Sequence, residues 1–246
     1  MFLGLLRAEL AKLRDPMTLL TLVGGPAAVA LLLFLGVTIR RAPGDWGEYI
    51  ARMMGFWTFF IFPLALTAFA AFYAQVEHRA RAWDHLLALP IPKWRVFAVK
   101  ALVLAAATIA MHALYIVLAP AAAALGGMIA RQGPLTGTLT LAPFVKQLVT
   151  VEGASLLMIA VQLWVSLRFS QFAAPIMIGI GAFTATLAAS FFGYLDYTRF
   201  FPWGVAYAMT IVADASLRTL LLWYGLAGGL LAFAAMVAHL SRREMR

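Results

Sequence analysis

The sequence predicts an all-α integral membrane protein with six transmembrane helices, and three observations carry that expectation. Of 246 residues, 64% are hydrophobic and only 12% charged, with a mean hydropathy of +0.91. A soluble domain is about half apolar and about a quarter charged, so lipid must be the solvent for most of this chain. The apolar residues also gather into runs close to the ~20 residues that cross a bilayer. Finally, Lys and Arg lie in short segments beside those runs, where they orient a membrane protein. The formal charge of +9 is therefore not read as a nucleic-acid surface. The chain has no cysteine, which removes disulfides, thiolate metal sites and Cys nucleophiles. It has no Asn either, hence no N-glycosylation acceptor.

Residues 1–16 come first. Phe2, Leu3, Leu6, Leu10 and Leu13 recur at helical spacing, and Arg7, Glu9, Lys12, Arg14 and Asp15 take the other faces. This is the pattern of an amphipathic helix lying along the inner membrane surface. Pro16 breaks it where the chain turns into the bilayer. The remainder, 17–246, is one six-span domain, with spans expected at 17–39, 53–76, 101–126, 148–167, 172–195 and 217–240. Sixteen residues precede a first apolar run of more than twenty, too long for a signal h-region, so this run reads as an uncleaved helix.

Basic residues set the orientation. With the N-terminus inside, the inner segments hold Arg7, Lys12, Arg14, Arg79, Arg81, Lys93, Arg95, Lys100, Arg168, Arg242, Arg243 and Arg246. The outer side keeps Arg40, Arg41, Arg52, Arg131, Lys146, Arg199 and Arg218. That bias favours both termini in the cytoplasm.

The densest charge lies between the second and third spans, from Glu77 to Lys100. Trp83, Leu86, Leu87 and Pro90 fall at i, i+3, i+4 and i+7, one face of a short helix. Lipid headgroups, the rest of the chain or a groove on a partner must cover that face. Pro90 and Pro92 stop the helix, and Trp94, Arg95, Phe97 and Lys100 re-enter the membrane.

Glu77, Arg79, Trp83, Leu86-Leu87-x-Leu89-Pro90, Arg95 and Lys100 together resemble the first cytoplasmic loop of ATP-binding-cassette exporter permeases of the second exporter class. The resemblance extends to chain length, span count, the inner elbow helix and an aromatic-rich segment before the last span. It implies that these residues form a coupling helix docking on a separate cytoplasmic ATPase. It also implies that the chain binds no cofactor itself, with ATP and Mg held by that partner. Gln162-Leu-Trp-Val-Ser-Leu-Arg168-Phe-Ser-Gln-Phe172 and Phe201-Pro202-Trp203 are similar to the lantibiotic- and bacitracin-type immunity subgroup. Phe201, Pro202 and Trp203 would then close an outer gate, with short re-entrant helices in Asp196–Ser216. An interfacial aromatic belt explains any single ring there equally well.

The polar residues read as lying within the bilayer are Thr67, His112, Ser155, Gln162, Thr184 and Thr186. His112 is the ionisable one among them, so it is the pathway candidate, although a neutral His can simply bond a neighbouring carbonyl. Pro26, Pro63, Pro120 and Pro175 would kink four spans. Gly179-x-Gly181 reads as close helix packing.

Enzyme readings fail on geometry. Ser155 lies near the outer surface and His239 at the inner end of its span, on the order of 20 Å apart at 1.5 Å per residue, too far for proton transfer. His78 and His85 have no third metal ligand, and no phosphate-binding Gly-Lys-Ser/Thr loop exists. The expectation is a non-catalytic permease in a bacterial inner membrane, paired with a second permease subunit and lipid. It would export an amphiphile, with a peptide antibiotic favoured over lipid, drug or polysaccharide. The alternatives are an ATP-independent secondary transporter or channel, which needs charged or unwound mid-membrane sites, and a membrane scaffold.

Overall fold

The computed structural model describes residues 2–39, 44–80, 83, 86 and 90–242. Helix α1 is Phe2–Ala11, continued by a 3-10 turn over Lys12–Arg14. Asp15 then caps α2, Pro16–Ile39, by accepting from the Thr18 amide at 3.0 Å and the Thr18 hydroxyl at 3.1 Å. Pro16 thus opens α2 as its first residue, where a missing N–H costs nothing. It is a start signal as well as a stop.

Helix α3, Trp46–Phe56, runs through a π-helical turn, Trp57–Ile61, into α4, Phe62–Ala80. The turn sits just before Pro63, whose ring cannot tolerate a regular i−4 carbonyl, and the wider register absorbs it. Helix α5 is Lys93–Ile129, α6 Leu141–Arg168 and α7 Ala173–Phe191. Two short helices follow, α8 (Leu195–Thr198) and α9 (Pro202–Ile211), and then α10, Ala215–Ser241.

Among the described residues there is no strand, and six helical stretches are long and apolar enough to cross a membrane: Pro16–Ile39, Trp46–Ala80, Lys93–Ile129, Leu141–Arg168, Ala173–Phe191 and Ala215–Ser241. The protein is an all-α integral membrane protein. The second and third stretches overrun the expected 53–76 and 101–126 at both ends; where they approach each other, Glu77 and Lys100 continue the helices because both are buried against protein. At about 1.5 Å per residue α5 is near 55 Å long, well beyond a ~30 Å hydrocarbon core.

The spans alternate in direction. The proximal end of the bundle holds α1, Trp83, the start of α5, the α6–α7 turn and the end of α10. The distal end holds α8, α9 and a bridge between Asp45 and Thr136. Lipid tails are as apolar as leucine, so helices associate through close approach rather than burial from water. Helix α10 shows how. A Cβ on Gly225 would sit 2.0 Å from the Ala154 carbonyl oxygen, and one on Gly229 2.6 Å from the Leu156 backbone, so this G-x-x-x-G edge lies directly on α6. Gly179 likewise meets Thr67 and Gln162, whereas Gly181 faces open space, so the expected packing role belongs to Gly179 alone.

Candidate functional site: a buried charge cluster and a distal cap

At the proximal end, four charged groups and a tyrosine meet where α1, α4 and α5 converge. Lys100, fully buried on α5, lies 3.0 Å from Glu9 Oε2 and also pairs with Glu77 Oε1. Lys12 joins the same two carboxylates, Glu9 Oε1 at 2.6 Å and Glu77 Oε1. The Tyr73 hydroxyl donates to Glu9 Oε2 at 2.6 Å, and Lys100 Nζ stands 5.0 Å above the Tyr73 ring. Two cations face two anions, so the cluster is neutral, as burial demands. Burial pushes the Glu9 carboxyl up, but Lys100 and Lys12 more than offset this and hold it below its ordinary value. Burial likewise pushes Lys12 down, and Glu77 with Glu9 raises it above the usual lysine value.

The sequence placed Glu9 and Lys12 on the polar side of a surface helix. Glu9 is instead 1% exposed and aimed into the bundle, while Phe2, Leu3 and Leu10 remain exposed. The reason is that a carboxylate so near the membrane is cheapest beside Lys100.

Of the proposed coupling residues, Leu87 and Leu89 lie outside the described residues, as do Arg81 and His85. Arg79 and Pro90 are exposed, Arg95 and Leu86 half-buried, and Glu77 and Lys100 buried. Trp83 is 6% exposed. Its indole N–H donates to His78 Nδ1 at 3.0 Å, its ring stacks on Phe97 at 5.9 Å, and Lys100 lies 5.5 Å from it. Of the three covers that the sequence left open for this ring, the chain itself supplies the one seen here. Nearby, Gln75 donates to the Ser170 carbonyl at 3.0 Å, and His78 Nε2 lies 3.3 Å from the Ser166 carbonyl. The α6–α7 turn is thereby tied to the same end.

At the distal end, α8 and α9 fold back on the bundle. Trp203 is buried while Phe201 is exposed, their rings 5.7 Å apart, and Pro202 starts α9. Phe59 on the π-turn meets Tyr207 at 4.4 Å. A Cβ on Gly204 would lie 2.0 Å from the Thr198 carbonyl oxygen, so only glycine lets α9 turn this tightly under α8.

At mid-depth His112 does not stand alone. Its Nδ1 lies 3.0 Å from Glu152 Oε2 on α6, and Thr108 donates to Glu152 Oε1 at 2.7 Å. Glu152 was missed because its neighbours in the sequence read as a span edge, yet α6 begins at Leu141 and carries it near the helix midpoint. The signal was available: it is an acidic residue with a Thr and a His four apart on the preceding span. Ser155 bonds only the Val151 carbonyl, at 2.7 Å, and His239 accepts from Trp164 at 3.0 Å. A hydrolytic pair is therefore not assembled.

A bundle of six spans, a docked N-terminal helix and a capped distal end define a multi-pass membrane protein of the permease class. The family model described as ABC-2 family transporter protein matches residues 5–188. The chain belongs to this family, and is thus the membrane subunit of an ATP-binding-cassette exporter, a class that works with an ATPase partner. No curated protein and no solved structure matches it.

Proposed function

We propose that the permease expels an amphiphile, a peptide antibiotic, from the membrane toward the outside, powered by a separate cytoplasmic ATPase pair. The observation that carries the coupling half of this reading is the Glu9–Lys12–Glu77–Lys100 cluster. It ties α1, α4 and α5 beside Trp83, so a push on the loop that carries this residue is delivered to two spans and the elbow together. In this reading Glu77, Arg79, Trp83, Leu86, Leu87, Leu89, Pro90, Arg95 and Lys100 form the coupling region. Trp83 acts as the internal seat of the loop, leaving Arg79, Leu86 and the leucines after it for the ATPase. ATP and Mg belong to that partner, and this chain performs no chemistry. Both termini lie in the cytoplasm, α1 rests at the inner surface of a bacterial inner membrane, and a second permease subunit completes the pathway.

The substrate half rests on the apolar interior and on the aromatic cap of Phe201, Pro202 and Trp203. A hydrophilic ion would find little along the spans to replace its hydration shell, and an uncompensated buried charge costs several kcal/mol. The His112–Glu152 pair is the kind of mid-membrane site an ion-coupled transporter would need, but membership of the exporter family favours ATP as the energy source. Two experiments test the reading. Leu87→Asp should release a co-expressed ATPase from an otherwise inserted permease, and Trp83→Ala should do so by unseating the loop. Unchanged co-purification after both substitutions overturns the coupling role. In a susceptibility panel, cells carrying permease and ATPase should tolerate cationic or bacitracin-like peptides, and Phe201→Ala with Trp203→Ala should weaken that tolerance. Protection against small hydrophilic drugs alone overturns the amphiphile reading.

A further inference from the structure

The His112–Glu152 pair opens onto a cavity of about 230 Å³ between α5 and α6. Its walls are apolar: Ile109, Ala113 and Ile116 from α5, Val145 and Val149 from α6. Ile109 and Val149 are among the exposed hydrophobics, so the cavity opens sideways, toward whatever surrounds the bundle, and not along its axis. At 1.5 Å per residue, Glu152 is about 16 Å from the start of α6 and about 24 Å from its end, near the middle of the helix.

Among the described residues, one hydrogen bond reaches the Glu152 carboxylate. Thr108 gives its hydroxyl proton to Oε1. The ring nitrogen Nδ1 of His112 bonds the Thr108 carbonyl at 3.1 Å; it lies 3.0 Å from Glu152 Oε2, yet Oε2 is buried with no hydrogen bond to it. His112 Nε2 is buried without an acceptor, its ring held 4.6 Å from Phe62 and 5.8 Å from Trp57. A buried carboxylate oxygen without a donor is expensive, and the open side of the cleft beside it is lined for a hydrocarbon chain.

We infer that this cleft is a lateral binding site for an amphiphile with a protonated amine, its ammonium on Glu152 and its chain along Ile109, Ile116, Val145 and Val149. The charge complementarity is what selects this occupant over neutral lipid or the face of a second copy. The assignment rests on the amphiphile reading above and gives it a substrate class, amine-bearing.

The test uses the full-length permease in phosphatidylcholine nanodiscs and a dodecylamine carrying a photoactivatable diazirine on its chain. After irradiation, mass spectrometry should place adducts within 109–116 and 145–152. Unlabelled dodecylamine should suppress them and dodecanol should not. Glu152→Gln should lower adduct yield about tenfold, equivalent to 1.4 kcal/mol of binding, and Glu152→Asp should retain most of it. The wild-type competition stands independently should Glu152→Gln fail to fold. Equal suppression by dodecanol, adducts elsewhere, or an unaffected folded Glu152→Gln protein each overturn the inference, as does a cleft closed to the probe because Val149→Cys links two copies. Binding needs neither ATP nor the ATPase. Lost binding with antibiotic tolerance intact therefore removes this site alone, and intact binding without tolerance removes the transport reading alone.

Discussion

Lys100 is the residue on which the proximal end turns. Among the described residues, its ammonium is the one cation on the spans that touches both Glu9 and Glu77, while Lys12 reaches them from the N-terminal segment. Lys100→Met should leave Glu9 and Glu77 undercompensated and destabilise the protein by roughly 3–5 kcal/mol, the usual cost of breaking a buried pair. Thermal unfolding in detergent checks this, and a partial rescue by adding Glu77→Gln would show that the loss is electrostatic. The same cluster sets a pH window. Glu9, held below its ordinary value, contributes stability that is present above about pH 4 and lost as pH falls through its lowered folded value. Lys12, held above its ordinary value, contributes stability that is lost only as pH rises beyond about 10. Hydrogen exchange of α1 should therefore be slowest between those limits and quicken first in acid; a flat profile would show that α1 is held by its leucines alone.

At the scale of elements, the contact between α6 and α10 is set by glycine. Gly225→Ala would drive a methyl into the Ala154 carbonyl, and with backbone on both sides the helices must separate, at a cost of about 1–3 kcal/mol. Gly181→Ala, facing open space, should be neutral or slightly stabilising. Equal unfolding midpoints for the two variants would show that α10 can slide on α6 without loss. The distal cap has its own version of this test. Gly204→Ala should lift α9 from α8 because Thr198 leaves no room for a side chain there, and under the proposed function it should weaken tolerance in the same assay as Trp203→Ala.

For the whole molecule, the orientation is open to direct measurement in this cysteine-free chain. Single cysteines at Gly44, Thr136 and Tyr197 should react with an impermeant maleimide from outside, and those at Arg81, Ser170 and Ser241 should not. Tyr197 is preferred to its neighbour because it is 78% exposed whereas Thr198 is 8% exposed. Outside labelling at position 81 would reverse the topology and the coupling assignment with it.

Composition and run length were enough to determine the class, since no packing can hide so large an apolar excess from the bilayer test. They located the six spans, and Pro16 marked the break before the first; the distal short helices were implied by the family resemblance and not by composition. Span ends were misplaced where polar residues such as Glu77 and Lys100 sit on protein instead of water or lipid, because hydropathy reads a residue's chemistry and not its neighbours. Amphipathic spacing likewise assigned Glu9 to solvent and left the cover of Trp83 open, and only tertiary structure could bring Lys100, ninety-one residues from Glu9 in sequence, to within 3.0 Å of it. His112 was visible from the sequence as an ionisable group at depth; its partner was not, because the pairing with Glu152 depends on the rotation of two helices about their axes. A sequence states which groups are expensive to bury. The packing of helices, acting through distances of a few ångströms, decides which of them are neutralised and which are left facing a cleft.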